Sequence, residues 1–367
     1  MMKQEIIHTS LPLEALAGIF SQRGVQRLLL VCDRSFPRLD TYTEYRQVPG
    51  ITAVFDDFSP NPLYEEICRG VSLFQRSRCD GILAIGGGSA IDTAKCIRAF
   101  AQMPPGSFYL AQPFHASSVP LAAVPTTAGT GSESTRYAVV YYEGRKQSIT
   151  DDSLLPDYAL LDARNLKTLP LYQKKCTLLD ALCQSIESWW SIHATQQSRC
   201  LSQKALRLIL IHLDDYLFGQ FQAAACMLQA SNLAGQAIHI TQTTAAHAMN
   251  YKLTSLYRIP HGRAAFACLP HVWEYMLAHS AQKDDLLTVF QEIAAAMNCS
   301  SPESAIRFLR ELDQRLFSDN PVRVDPSDIP LLASSVNPTR LHNNPVPLDL
   351  SALTLLYTQI LQEIPQP

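Results

Sequence analysis

The chain has 367 residues, 47% of them hydrophobic and 17% charged, with a formal net charge of −3. That length suits about two domains with sizeable cores, and the slightly negative charge excludes nucleic-acid binding by bulk electrostatics. Charged residues fall below the roughly 25% usual in globular chains, which points to surface buried between subunits, as in a homodimer. No apolar run is long enough to span a bilayer, and Met1 to Ser10 lacks the apolar stretch of a signal peptide. The ten cysteines are scattered without a CxxC pair and read as small buried hydrophobes in a reducing compartment. The expectation is a cytoplasmic protein with no membrane and no nucleic-acid partner.

In chain order, Arg27 to Cys32 reads as a buried strand and Gly50 to Phe55 as a second. Pro62 to Arg76 has helical spacing, Asp80 to Ile85 is a third strand, and Val119 to Val124 a fourth. Alternating strands and helices predict an open parallel sheet. Tyr137 to Tyr142 and Lys146 to Ile149, joined through Glu143-Gly144-Arg145, predict a hairpin. After about Pro156 the texture changes. Long helical patterns cover 171–215, 221–258, 262–298 and 302–316, and the Pro-, Asn- and Asp-rich stretch 317–348 reads as an irregular loop before a last helix at 349–363. The domain expectation is therefore an α/β dinucleotide-binding domain at 1–160 and an all-α metal-binding and substrate domain at 161–367.

Two strand ends carry phosphate-binding chemistry. The third strand runs into Gly86-Gly87-Gly88-Ser89, and Ser89 with Asp92 has the spacing of a capping box for the next helix. Glycines at a strand-to-helix turn let the backbone approach a pyrophosphate, and the helix N-terminus supplies free N–H groups and a positive dipole end. The ordinary alternative is a tight structural turn. The fourth strand leads into Pro125 to Glu133, rich in Thr and Gly, at the carboxyl end where open sheets bind ligands. Asp33 ends the first strand. A carboxylate there hydrogen-bonds ribose hydroxyls and repels a 2′-phosphate, which favours NAD(H) over NADP(H); its ordinary role is a helix N-cap.

In the helical half, Asp180 and Gln184 lie four apart and share a helix face, while His247 lies in another helix and His261 follows Pro260 at a loop-to-helix junction. By spacing alone these are ordinary core or surface residues.

Taken together, Gly86 to Ser89, Asp92 to Lys95, Pro125 to Glu133, Asp180 and His247…Pro260-His261-Gly262 resemble the iron-containing alcohol dehydrogenase family in order and spacing, over about residues 25 to 300. The resemblance implies an α/β domain carrying the nucleotide and a helical domain carrying a divalent metal, Fe²⁺ or Zn²⁺, an architecture shared with dehydroquinate synthases. The implied cofactor positions are Asp33, Asn61, Gly87, Gly88, Ser89, Thr126, Thr127, Thr130, Thr135 and Lys146. The implied metal positions are Asp180, Gln184, His247 and His261. Two departures stand out. Gln184 replaces the family's usual histidine, and a Gln carbonyl is a weaker and harder ligand than imidazole, although three ligands and an open position still suit a catalytic ion. Tyr251 occupies a place where many members have a second histidine, so it either replaces a proton relay or packs.

The implied activity is hydride transfer between a nicotinamide and a small alcohol or aldehyde. Gln184, the stretch 247–262 and Asn337 to Pro345 look like the phosphonate-associated branch of the family, whose members resemble phosphonoacetaldehyde reductases making 2-hydroxyethylphosphonate. Lys252, near the metal positions in sequence, is the expected contact for a dianionic substrate, with Arg258 and Arg340 farther off. The competing readings are a dehydrogenase of a neutral short-chain alcohol or polyol, a lyase like dehydroquinate synthase, and an inactive NAD-binding protein.

Overall fold

A computed structural model describes residues 4–280 and 284–366. The chain divides into two compact units, one of Met1–Pro170 with Gly219–Gly235 and the other of Leu171–Phe218 with Gln236–Pro367.

The first unit is built on a parallel sheet. Its strands are β1 (Glu5–His8), β2 (Leu28–Cys32), β3 (Ile51–Phe55), β4 (Gly81–Gly86), β5 (Leu121–Pro125) and, after the hairpin β6 (Tyr137–Tyr142) and β7 (Arg145–Thr150), β8 (Tyr158–Leu161). The sheet order is β1-β8-β5-β4-β2-β3 with every pairing parallel. Strands β2, β4 and β5 are buried along their whole length, which is why they read as unbroken apolar runs rather than alternating ones. Side chains still alternate between two cores. Leu29, Val31, Ile82, Ala84, Leu121 and Ala123 pack on one face, and Leu28, Leu30, Leu83, Ile85, Ala122 and Val124 on the other. Helices α1 (Pro12–Gln22) and α2 (Tyr42–Arg46) supply the second core, while α3 (Tyr64–Arg76) and α4 (Gly88–Phe100) supply the first. In α3, Ile67, Val71 and Phe74 form the buried stripe.

The β4 register pairs Ile85 with Cys32 on one side and Gly86 with Pro125 on the other. Asp33, Gly86 and Thr126 therefore emerge side by side at the carboxyl edge of the sheet.

The second unit is helical. Its elements are α5 (Leu171–Trp190), α6 (Gln196–Leu217), the end of α7 (Phe221–Thr241), α8 (Ala245–Tyr257), α9 (His261–Ala278), α10 (Asp284–Ala296), α11 (Pro302–Phe317), α12 (Ile329–Ser334), α13 (Pro338–Leu341) and α14 (Leu350–Glu363). Helix α5 packs on α6 and α9, and α8 packs on α9. Trp190, Trp273 and Phe290 pin α5, α9 and α10 together with edge-on ring contacts, Trp190 to Trp273 at 5.5 Å and Trp190 to Phe290 at 6.0 Å.

Several expectations need correction. Strands β1 and β8 are four residues each, too short to stand out from loop composition. The fourth predicted strand lies at Leu121–Pro125 rather than 119–124. The helical pattern over 171–215 breaks between Trp190 and Gln196, that over 221–258 breaks between Thr241 and Ala245, and that over 262–298 ends its first helix at Ala278. The stretch 317–348 is not wholly irregular: α12 and α13 lie in it, each with a proline in its first turn. No helix among the described residues is long and apolar enough to cross a membrane.

Candidate active site

At the sheet's carboxyl edge the chain turns sharply after β4. Gly86 has φ +157°, and a Cβ there would stand 2.6 Å from Ala90 Cβ and 2.8 Å from Asp33 Oδ2. Only glycine fits. Helix α4 begins at Gly88 with Gly87 as its N-cap, and no side chain caps it. Its first amides are left to a ligand, and a phosphate is the natural partner for such a terminus.

The predicted capping box from Ser89 to Asp92 is therefore absent. Ser89 lies inside the first turn, where its Oγ accepts from the Asn61 N–H at 3.3 Å. Asn61 holds φ +62°. The Asp92 carboxylate instead accepts from Ser132 Oγ and from the Val139 N–H at 3.0 Å. It ties α4 to the second turn, because Ser132 is the shorter and closer donor.

Beneath that second turn lies Lys95, fully buried. Its ammonium donates to Ser132 Oγ at 2.9 Å, Thr135 Oγ1 at 3.2 Å and the Tyr137 carbonyl at 2.7 Å. Burial pushes its pKa down to about 8 against the pull of Asp92 and Glu133. Sequence reasoning missed this role, and it places the Thr135 hydroxyl on Lys95. Thr126 is buried, and its N–H donates to the Gly86 carbonyl at 3.0 Å. A Cβ on Gly87 would lie 3.5 Å from Thr127 Cγ2, and a Cβ on Gly88 would meet Thr130 Cγ2 at 2.9 Å. The two turns are thus in direct contact. Asp33 accepts from the Ser35 N–H at 2.8 Å, and its other oxygen lies 3.4 Å from the Gly87 N–H. Lys146 lies on β7 opposite Tyr141.

In the helical unit, three ligand-type atoms converge. One from each of Asp180 on α5, His247 on α8 and His261 on α9 all lie within 4.8 Å of one another. His247 Nε2 stands 3.1 Å and His261 Nε2 3.8 Å from Asp180 Oδ1. The approach depends on Gly262: a Cβ there would lie 2.1 Å from the Cys176 carbonyl oxygen and 2.7 Å from Asp180 Cβ. Any larger residue would push α9 off α5 and carry His261 away.

A fourth residue, Glu187, organises the site from behind, and sequence reasoning missed it. Its Oε2 is hydrogen-bonded to His247 Nδ1, and its Oε1 accepts from the Thr244 N–H at 3.0 Å and the Thr244 hydroxyl at 2.8 Å. Trp190 Nε1 donates to that hydroxyl at 2.9 Å. Glu187 fixes the imidazole with its Nε2 toward Asp180, the arrangement by which a carboxylate orients a metal-ligating histidine. Burial by itself would lower the His247 pKa. The Glu187 and Asp180 carboxylates outweigh it and hold the value up at about 9.

One carboxylate, two imidazoles and a carboxylate behind one of them form a donor set suited to a divalent transition metal. Gln184 sits one turn on from Asp180 and is buried, between Asp180 and Glu187 on the same face. The spacing of Asp180, Gln184 and Glu187 was the signal that could have exposed Glu187.

The ring of Tyr251 stacks on His261 at 5.8 Å, and its hydroxyl accepts from Arg340 Nη1 at 3.0 Å. Lys252 is the next residue on α8, about 140° around the helix from His247.

A family model described as iron-containing alcohol dehydrogenase matches residues 4–163, and one described as Fe-containing alcohol dehydrogenase family, C-terminal, matches 175–361. Among curated proteins, the 1,3-propanediol dehydrogenase of Klebsiella pneumoniae is 31% identical over 328 residues, 84% of each chain. The lactaldehyde reductase of Escherichia coli K12 is 30% identical over 293 residues, 77% of this chain and 75% of that one. Among solved structures, the sulfoacetaldehyde reductase of Bifidobacterium kashiwanohense in complex with NAD+ superposes with a TM-score of 0.87 at 24% identity, covering 98% of this chain and 97% of the other; that likeness speaks to the fold.

Proposed function

Because the chain belongs to the iron-containing alcohol dehydrogenase family, we propose that its physiological reaction is the NADH-linked reduction of phosphonoacetaldehyde to 2-hydroxyethylphosphonate. It is a metal-dependent alcohol dehydrogenase and aldehyde reductase that uses NAD(H) and a divalent ion. The observation that carries the chemistry is the convergence of Asp180, His247 and His261. When bound, the ion supplies Lewis acidity toward a carbonyl or alcohol oxygen, and the nicotinamide supplies or accepts the hydride.

The residues do the positioning. Asp180, His247 and His261 are assigned as the metal ligands, with Glu187 holding a proton on His247 Nδ1 so that Nε2 keeps its lone pair for the ion. Gly87, Gly88 and Ser89 present the α4 amides to the pyrophosphate, and Asp33 takes the adenosine ribose. We assign the substrate proton to Tyr251. Its ring stacks on His261 and its hydroxyl accepts from Arg340, which places a phenol beside an assigned metal ligand, where it can serve as the acid toward a developing alkoxide. The phosphonate assignment is supported by Gln184, the stretch 247–262 and the Asn-rich segment 337–345. A second reading, reduction of a neutral short-chain aldehyde, is favoured by the propanediol and lactaldehyde relatives. The scattered cysteines support a cytoplasmic location, and the low charge content supports a homodimer.

The test is a panel assay. Protein loaded with Fe²⁺ or Zn²⁺ is mixed with NADH and phosphonoacetaldehyde, lactaldehyde or propionaldehyde, and the loss of NADH absorbance is followed. The expected result is fastest turnover of the phosphonate. Turnover of neutral aldehydes alone overturns the phosphonate assignment.

A further inference from the structure

We infer that Arg340 is the specificity-determining residue that recognises the anionic end of the substrate. The inference rests on the reading above, in which the substrate is an aldehyde carrying a phosphonate or a related oxyanion. Lys252, the expected contact, is turned away from the metal-ligating face of α8. Arg340 takes that place from a segment some ninety residues downstream.

Its setting is built rather than incidental. Asn343 fastens the segment. Its side chain donates to Gln242 Oε1 at 2.9 Å and to the Thr243 carbonyl at 3.2 Å, and its carbonyl accepts from the Ile192 N–H at 3.1 Å. Leu341 is buried, and α13 packs on α8. The segment is thereby held beside the turn that leads into α8, and it presents Arg340 toward Tyr251.

The guanidinium lies over the Tyr251 ring at 5.3 Å, and that ring stacks on His261 at 5.8 Å. It stands one aromatic ring away from an assigned metal ligand. Only Nη1 is committed, to the Tyr251 hydroxyl. Among the described residues no carboxylate pairs with Arg340, whereas Arg98, Arg164, Arg310 and Arg315 each hold one. A cation kept for packing alone is satisfied by a carboxylate or by water at the surface. A cation held over a tyrosine, with its fork free and no counter-ion, is suited to an oxyanion that arrives with the ligand. An aldehyde whose oxygen faces the metal ligands, with its anionic group one or two carbons away, matches this spacing in kind.

The test uses the metal-loaded, NADH-bound protein. Two quantities are read: the ratio of kcat/KM for phosphonoacetaldehyde to that for propionaldehyde, and the dissociation constant of ethylphosphonate by calorimetry. Arg340→Gln is expected to lower the ratio about 100-fold and to weaken ethylphosphonate by a similar factor, the size typical of losing a charged contact. Arg340→Lys, which keeps the charge but loses the fork, is expected to lose about tenfold; it decides the matter if Arg340→Gln does not fold. Tyr251→Phe is expected to lower the ratio less and to be non-additive with Arg340→Gln. Ethylsulfonate, a monoanion, serves as the second arm: weaker binding than ethylphosphonate identifies the dianion as the cognate group, and tighter binding identifies a sulfonate, both through Arg340. If wild type prefers the phosphonate but the Arg340 variants keep that preference, the inference is overturned while the substrate reading stands. If Lys252→Ala abolishes the preference instead, the result is the same. A wild-type protein indifferent to the anionic group overturns both.

Discussion

At the carboxyl edge of the sheet the groups offered to a ligand are mostly main-chain amides, whereas in the helical unit they are side chains carried by three separate helices. The first arrangement needs residues that are absent: no Cβ at Gly86, no capping side chain at the start of α4. The second needs residues that are present and oriented, with Glu187 and Thr244 behind His247 and Gly262 allowing α9 to close on α5. A backbone-built site is damaged by adding atoms. A side-chain-built site is damaged by removing them.

The largest expected effect tests the second half of that contrast. His247→Ala removes a metal ligand, and kcat/KM is expected to fall by at least about 1,000-fold, because several kcal/mol of charge stabilisation go with the ion. Metal content measured after dialysis should fall in parallel, while the NADH dissociation constant moves by no more than about twofold. A variant that retains its metal would break the assignment. Glu187→Gln comes next. Metal affinity by chelator competition is expected to drop about 10- to 100-fold, the usual effect of disturbing a partner behind a ligand.

At the other end, Gly86→Ala is expected to weaken NADH about tenfold and to cost about 1–3 kcal/mol of stability through strain and overlap. Metal affinity should not follow it. Coupled losses at both ends would show that the two sites do not depend on separate features of the chain. Asp33→Ser is expected to shift the NADH-to-NADPH preference toward NADPH by roughly tenfold, about 1.4 kcal/mol.

The smallest effect is on the pH dependence of the metal-free protein. The His247 pKa is raised from 6.5 to about 9, so the folded state binds the proton more tightly than the unfolded chain. This contribution is complete below pH 6.5 and is lost as pH rises to about 9. The Tm of chelator-treated protein should fall across that window. Metal should abolish this slope, because a metal-bound imidazole carries no proton on Nε2.

How far the sequence could be read follows from the same physics. Gly86-Gly87-Gly88 was visible because a tight turn and a close approach leave few residues possible, and a strand buried on both faces is an unbroken apolar run. The error at Ser89 came from local spacing: Ser89 and Asp92 have the pattern of a capping box, but the helix starts two residues earlier and Asp92 bonds across to Ser132 and Val139. Lys95 gave no sign of its role, since a lysine inside a helix looks like a solvated one until the second turn is laid over it. Asp180, His247 and His261 were nominated by resemblance, because spacing alone does not distinguish them from core residues.

The sequence by itself therefore determined the alternation of strand and helix, the glycine turn after β4 and the family to which the chain belongs. These depend on periodicity and on backbone sterics, which act within a few residues. Only the tertiary structure decided that Glu187 orients His247, that Lys95 pins the second turn, and that Arg340 stands over Tyr251. Each of those joins residues on different elements, up to 89 positions apart, and hydrogen bonds at such separations depend on how helices pack rather than on any local pattern.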